Sequence, residues 1–225
     1  MNIWLIALVL CIPLIGITIG NAVCYPEKFK FIKRTKKMFV NSIDNRQIKG
    51  NLGENAVAKQ LELLNNNYKV IHNGLFQLKN DIMVQVDHIV ISRYGVFVVE
   101  TKNYGGIVEE NERGWWKQIW YKSNFDFYNP MHQNESHIKS LMYVLFTKRR
   151  EIFKSVLVFP NTTILHTQKH TPAIHVEDLC RYIEKFDTRI LTDKEVDDIY
   201  NKLCSRNIYS KKNMKKHRQR VDSLY

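Results

Sequence analysis

The chain is predicted to adopt an α/β or α+β fold, with one mixed central sheet flanked by helices, and three observations predict it. Two β-branched, apolar runs, 85–91 and 96–102, meet at Ser92-Arg93-Tyr94-Gly95, which is a hairpin signal. Stretches with apolar residues at helical spacing stand before and after that hairpin. A further apolar run, Val156-Leu157-Val158-Phe159, follows the second helical stretch, and no internal repeat interrupts the order helix, strands, helix, strand, helices.

Taken in order, 38–50 read as a linker or short helix. A helix is expected from Asn51, as its N-cap, to Leu64, with Val57, Leu61 and Leu64 on its apolar stripe. Asn65-Asn66-Asn67 ends it. Glu54 falls on the same inward stripe; its plain reading is a first-turn acid favoured by the helix dipole. A short strand over 68–71 is followed by an expected turn at Asn73-Gly74 and a polar loop through Asp81. After the hairpin, Asn103-Tyr104-Gly105-Gly106 breaks the pattern, and short strands resume at Ile107-Val108 and over 115–121, the latter rich in Trp. A second helix is expected over 131–148, started by Asn129-Pro130, with Ile138, Leu141, Tyr143 and Leu145 buried. Gln133 and His137 lie one turn apart on the face of Leu141. Short strands are expected over 163–165 and 173–176, and helices over 177–186 and 193–204.

At 44% hydrophobic and 12% aromatic, the 225 residues suffice for one domain with appendages. Cys11, Cys24, Cys180 and Cys204 have no CxxC or zinc-like spacing and read as reduced thiols. Residues 3–19 are apolar apart from Thr18, no charged residue occurs before Glu27, and six Lys or Arg fall within 28–37. That pattern predicts an uncleaved transmembrane anchor over 1–25 with the remainder on the cytoplasmic side, a cleaved signal peptide being the rival reading. The basic run 28–37 suits an anionic membrane surface. Seven more basic residues lie within 206–220. Without these two clusters the net charge of +12 falls close to zero, so the core is not itself a basic domain. The tail is read as a disordered end, with electrostatic binding of nucleic acid as the alternative. The expected division is an anchor over 1–25, a basic linker over 26–46, a catalytic-type domain over 47–165, a helical extension over 166–205 and a basic tail over 206–225.

The chemistry concentrates in the hairpin. With Ile91 facing Val96, Asp87 faces Glu100 across the pair, where like charges are unfavourable. Lys102 lies two residues beyond Glu100 and points to the same side. Val84, Val86, Val90, Phe97 and Val99 are expected on one face, and Ile89, Ile91, Val96 and Val98 on the other, so the charges enter a sheet buried on both sides. Burying imperfectly paired carboxylates costs several kcal/mol; a divalent cation is the natural compensation. Asp87 and Glu100 suit Mg²⁺ or Mn²⁺, with the Thr101 backbone carbonyl as a further ligand and Glu54 able to add to the site. Lys102 could orient or deprotonate an attacking water or neutralise transition-state charge, and Gln133 could position a phosphate or the lysine. The histidines offer no HxxxH or Cys-supported zinc pattern and read as surface or packing residues, His137 excepted, and His88 points to the face opposite Asp87.

Gly53-Glu54-x-x-Val57, Gln85-Val86-Asp87-His88, Gly95-Val96-Phe97-Val98-Val99-Glu100-Thr101-Lys102-Asn103, Gly106 and Asn129-Pro130-x-x-Gln133-Asn134 together resemble the nuclease-related domain (NERD) family, a branch of the PD-(D/E)xK nuclease superfamily. The resemblance covers about residues 50–145. It implies a restriction-endonuclease-like core, with Asp87, Glu100 and Lys102 matching the superfamily triad, Glu54 its helix-borne acid and Gln133 the glutamine of the following helix. The expectation is a membrane-anchored, metal-dependent nuclease acting on nucleic acid, DNA ahead of RNA. The alternative is a non-catalytic nucleic-acid-binding or scaffolding module that keeps the fold.

Overall fold

The computed structural model describes residues 50–121 and 123–222, which pack as one compact unit. Helix α1 covers 50–61 and buries Val57 and Leu61. Gly50 is already helical, so Asn51 is not the N-cap, and the helix closes at Leu61 rather than Leu64. Leu64 still packs on the α1 cluster from the turn that follows.

Strands β1 (Lys69–Gln77), β2 (Met83–Ser92) and β3 (Gly95–Thr101) form an antiparallel meander. The β2–β3 register is the expected one, with Ile91 opposite Val96 and His88 opposite Val99. The turn anticipated at Asn73-Gly74 is absent. Asn73 takes a left-handed φ of 53° inside one continuous strand, and the chain reverses instead around the short 3₁₀ turn Lys79–Asp81. Asn tolerates that backbone region, and β2 offers partners on both sides, Ile71 with Ile89 and Gly74 with Val86. Pairing therefore overrides turn chemistry. The side-chain alternation slips at this point. Val86, with Val84 against it, joins the cluster of Ile89, Ile91, Val96 and Val98, whereas Val90, Phe97 and Val99 pack on the α1 side. The expected placement of Val84 and Val86 with Val90 is thus corrected.

After β3 the chain leaves the sheet. Gly106 has φ +77°, and an added Cβ there would lie 2.4 Å from the Ile119 carbonyl oxygen, so only glycine fits this exit. Strands β4 (Ile107–Glu110), β5 (Trp116–Trp120) and β6 (Ser123–Phe127) follow, and with β8 (Ile164–His166) they make a second sheet in the order β6-β5-β4-β8. Strand β7 (Phe153–Phe159) runs parallel to β3, and β9 (Ala173–His175) parallel to β7, completing a first sheet β1-β2-β3-β7-β9. The single mixed sheet expected from the sequence is therefore two mixed sheets. Trp116 joins them, buried and stacked on Phe159 with ring centroids 6.2 Å apart.

Helix α2 (Pro130–Leu145) lies on the first sheet with Asn134, Ile138, Leu141, Val144 and Leu145 buried. The Asn129 side chain caps it by accepting from the Met131 and His132 N–H groups. Tyr143, expected inside, is exposed: two positions from Leu141 is the opposite side of a helix. Helices α3 (Leu179–Glu184) and α4 (Asp193–Arg206) follow, the latter started by a Thr192–Glu195 capping box. Residues Lys211–Asp222 then form helix α5, where the sequence suggested a disordered tail. Met214 is the reason: it is buried with Leu75 and Met83. The Ile208 N–H donates to the Leu75 carbonyl, and Arg220 donates to the Asp81 carbonyl at 2.9 Å.

None of the described helices is long and apolar enough to cross a membrane; the anchor expected over 1–25 and the basic run 28–37 lie outside the described residues.

Candidate active site

Glu100 ends the fully buried part of β3 and is only 3% exposed. A lone carboxylate there would be held neutral by burial. Two cationic or donor groups change the balance. Lys102 Nζ lies 2.9 Å from Glu100 Oε1, and His137 Nε2, from α2, lies 3.1 Å from Oε2. Burial pushes the Glu100 carboxyl up, but Lys102 and His137 together bring it below the ordinary glutamate value. Burial would likewise strip Lys102 of its proton, yet the Glu100 charge and hydrogen bond outweigh that and raise it. Lys102 is a cation here. The Gln133 Oε1 accepts from its Nζ at 2.8 Å, so α2 fixes the direction of the ammonium group.

Asp87 is placed differently. The β2–β3 ladder stops at His88 and Val99, one pair short of Asp87 and Glu100. In place of that rung, Asp87 Oδ2 accepts from the Thr101 N–H at 2.9 Å. The carboxyl is raised well above the ordinary value, first by burial and then by the Glu100 and Glu54 charges, with Thr101 and Lys102 offsetting only part. The hairpin thus holds two carboxylates in opposite states: Glu100 paired and ionised, Asp87 short of positive charge.

Glu54, half-buried on α1, stands within electrostatic reach of both acids; burial raises its carboxyl, Arg218 of α5 lowers it and Glu100 raises it again. The structure therefore gathers Asp87, Glu100, Lys102 and Gln133 in direct or near contact, with Glu54 at the margin. Among the described residues no three His, Cys, Asp or Glu side chains form a ready-made ion cage. Mg²⁺ does not require one, because it is commonly held by one or two carboxylates with water and phosphate oxygens completing its shell. Asp87 and Glu100 have the right donor chemistry, and the deficit of positive charge at Asp87 is what a bound cation relieves. Because the N–H of Thr101 is directed at Asp87, its carbonyl lies on the same edge of β3, available to the same site.

The sequence sets His137 apart from the other histidines and places it one turn from Gln133, but its contact with Glu100 depends on how α2 seats on β3. Asn134 was not considered as a clamp. Fully buried, it donates from Nδ2 to the Val98 carbonyl at 2.8 Å and to Ser155 Oγ at 2.9 Å, tying α2 to both β3 and β7. The motif Asn129-Pro130-x-x-Gln133-Asn134 includes it, but the clamp itself is visible only in three dimensions. His88 turns to His72, its Nδ1 2.9 Å from His72 Nδ1; burial followed by His72 lowers it to about 3 against smaller opposing effects of the Glu54 backbone and Glu100, so it stays neutral.

Fold and site together define an α/β protein whose acid–acid–lysine centre is built on one hairpin and braced by the helix packed over it. Residues 49–160 match the nuclease-related domain (NERD) family, and the chain belongs to that family. An uncharacterized protein of Bacillus anthracis is 34% identical over 186 residues, a match spanning 79% of this chain and 87% of that protein.

Proposed function

We propose that this protein is a metal-dependent nuclease of the PD-(D/E)xK type that hydrolyses phosphodiester bonds, in DNA ahead of RNA. The observation that carries the reading is the unequal pair on the hairpin: Glu100 ionised by Lys102 and His137, and Asp87 opposite it with too little positive charge. A purely structural sheet gains nothing from that arrangement.

Asp87 and Glu100 would hold Mg²⁺ or Mn²⁺, with the Thr101 carbonyl and Glu54 in support; when bound, the ion supplies Lewis acidity and charge neutralisation at the phosphate. Hydrolysis forms one P–O bond from water and breaks one ester P–O bond. Lys102, kept protonated by Glu100, acts as a cation toward the phosphate oxygens and the attacking water rather than as a base. Gln133 holds the lysine in that orientation. The Asp87 oxygen not engaged by Thr101 is left to face the ion, and the proton that water gives up ends, by way of solvent, on the leaving ester oxygen. The apolar segment 3–19 and the basic residues after it support attachment to a membrane with the catalytic domain on its cytoplasmic face.

One observation favours the non-catalytic alternative: both Glu100 oxygens already have protein partners. Incubating the purified protein with circular and linear DNA and with RNA, in Mg²⁺, Mn²⁺ or EDTA, separates the two. Metal-dependent cleavage lost in Asp87→Asn and Lys102→Met is expected. Absence of cleavage on every substrate, combined with no metal-induced rise in melting temperature, rejects the nuclease.

A further inference from the structure

Helix α5 is not consumed by the catalytic reading. It carries Lys211, Lys212, Lys215, Lys216, His217, Arg218 and Arg220 against a single acid, Asp222. One stripe faces inward: Met214 is buried, His217 is half-buried, and Arg220 is hydrogen-bonded to the loop between β1 and β2. Arg218 falls four residues after Met214; it is exposed, and its charge lowers the Glu54 carboxyl. His217, besides feeling burial and Arg218, feels His137 of the site. Met214 and Arg220 thus anchor the helix on β1, β2 and the loop between them, with Arg218 and His217 within electrostatic reach of Glu54 and His137. Lys212, Lys215 and Lys216 are exposed and have no carboxylate within ion-pairing distance among the described residues.

We infer that α5 is a phosphate-backbone clamp, its exposed lysines holding the stretch of nucleic acid that flanks the scissile phosphate while Met214 and Arg220 fix it beside Glu54 and His137. The charge complementarity commits the surface to a polyanion, and its position commits it to the one that enters the acid pocket. An acidic pocket by itself repels nucleic acid, so a cationic wall beside it supplies the missing attraction. Each lysine that neutralises a phosphate releases counterions and steepens the salt dependence of binding. The inference rests on the nuclease reading for its ligand, but it is tested by binding rather than by cleavage.

The experiment uses the full chain carrying Asp87→Asn, in EDTA, and follows a labelled DNA duplex by fluorescence anisotropy over a range of salt. Adding Lys212→Ala, Lys215→Ala and Lys216→Ala should lower the slope of log K against log salt by about 2.7, roughly 0.9 for each lysine. Arginine at the same three positions should restore the slope, which separates loss of charge from loss of fold. Four results overturn the clamp. These are an unchanged slope in the triple-alanine variant, no duplex binding by the parent chain, faster DNA cleavage when the lysines are removed from the otherwise wild-type chain, and loss of binding to phosphatidylserine vesicles with duplex binding intact. The third marks a lid over the site and the fourth a lipid-facing surface. Hydrolysis of a small phosphodiester by the wild-type chain reads the nuclease proposal alone, so that proposal and the clamp can fail independently.

Discussion

Asp87→Asn should make the metal-free protein more stable. Continuing the observed β2–β3 register one rung places Asp87 against Glu100, and facing side chains have Cβ atoms roughly 5 Å apart. Two full charges at that separation repel by about 3 kcal/mol at an effective dielectric near 20. An amide at position 87 removes the repulsion and can still accept from the Thr101 N–H, losing about 1 kcal/mol because that hydrogen bond is no longer charge-assisted. The net gain of about 1–2 kcal/mol corresponds to a melting temperature higher by about 2–8 °C for a protein of this size. The sign with pH follows from the raised carboxyl. Asp87 binds its proton more tightly folded than unfolded, so its contribution to stability is intact below about pH 3.9 and is lost as pH rises through the folded value. The advantage of the variant must therefore grow from pH 5 to pH 8. Thermal melts of both proteins in EDTA at those two pH values test this, and repeating them with Mg²⁺ adds the converse. Ligand binding to the folded state stabilises the wild type, while the variant gains little. A variant that melts lower than wild type at pH 8, or that gains as much from Mg²⁺, refutes the reasoning.

Other outcomes follow from single contacts. His137→Ala removes one of the two partners of Glu100 and should lower cleavage by about 10–100-fold, the range for residues that orient a ligand, with circular dichroism unchanged. Asn134→Ala cuts the hydrogen bonds that join α2 to β3 and β7 and should cost about 2–3 kcal/mol in urea unfolding. Gly106→Ala puts a methyl group against the Ile119 carbonyl at a positive φ; limited proteolysis should show the β4–β6 region opening before the main sheet does.

The hairpin and its register were readable because period-two alternation is a short-range signal, fixed by residues that touch their neighbours across one turn. The acid–acid–lysine group came with it for the same reason. His137 reaches Glu100 and Asn134 reaches Val98 across more than 30 positions, and β8 joins β4 in the second sheet across more than 50; no local pattern reports how a helix seats or where a glycine redirects the chain. The missed strand at Asn73 shows a competition of another kind. Asn-Gly is a strong turn signal, yet two stretches able to pair with β2 on either side of it outweighed the local preference. In α5, a run of lysines concealed one methionine, and the contact of Met214 with Leu75 and Met83 is what holds the helix in place.

The left-handed residue in β1 also sets how this sheet tolerates change. On either side of Asn73 and Asp87 the odd- and even-numbered positions exchange roles, so the sheet has two codes written end to end. A polar substitution at Val86 should be rejected as sharply as one at Ile89 or Ile91, although counting by twos would set it on the opposite face. A one-residue deletion in this region shifts one code against the other. It therefore harms both packing faces while displacing Asp87 from Glu100, so the site and the core share a single point of failure in the chain's length.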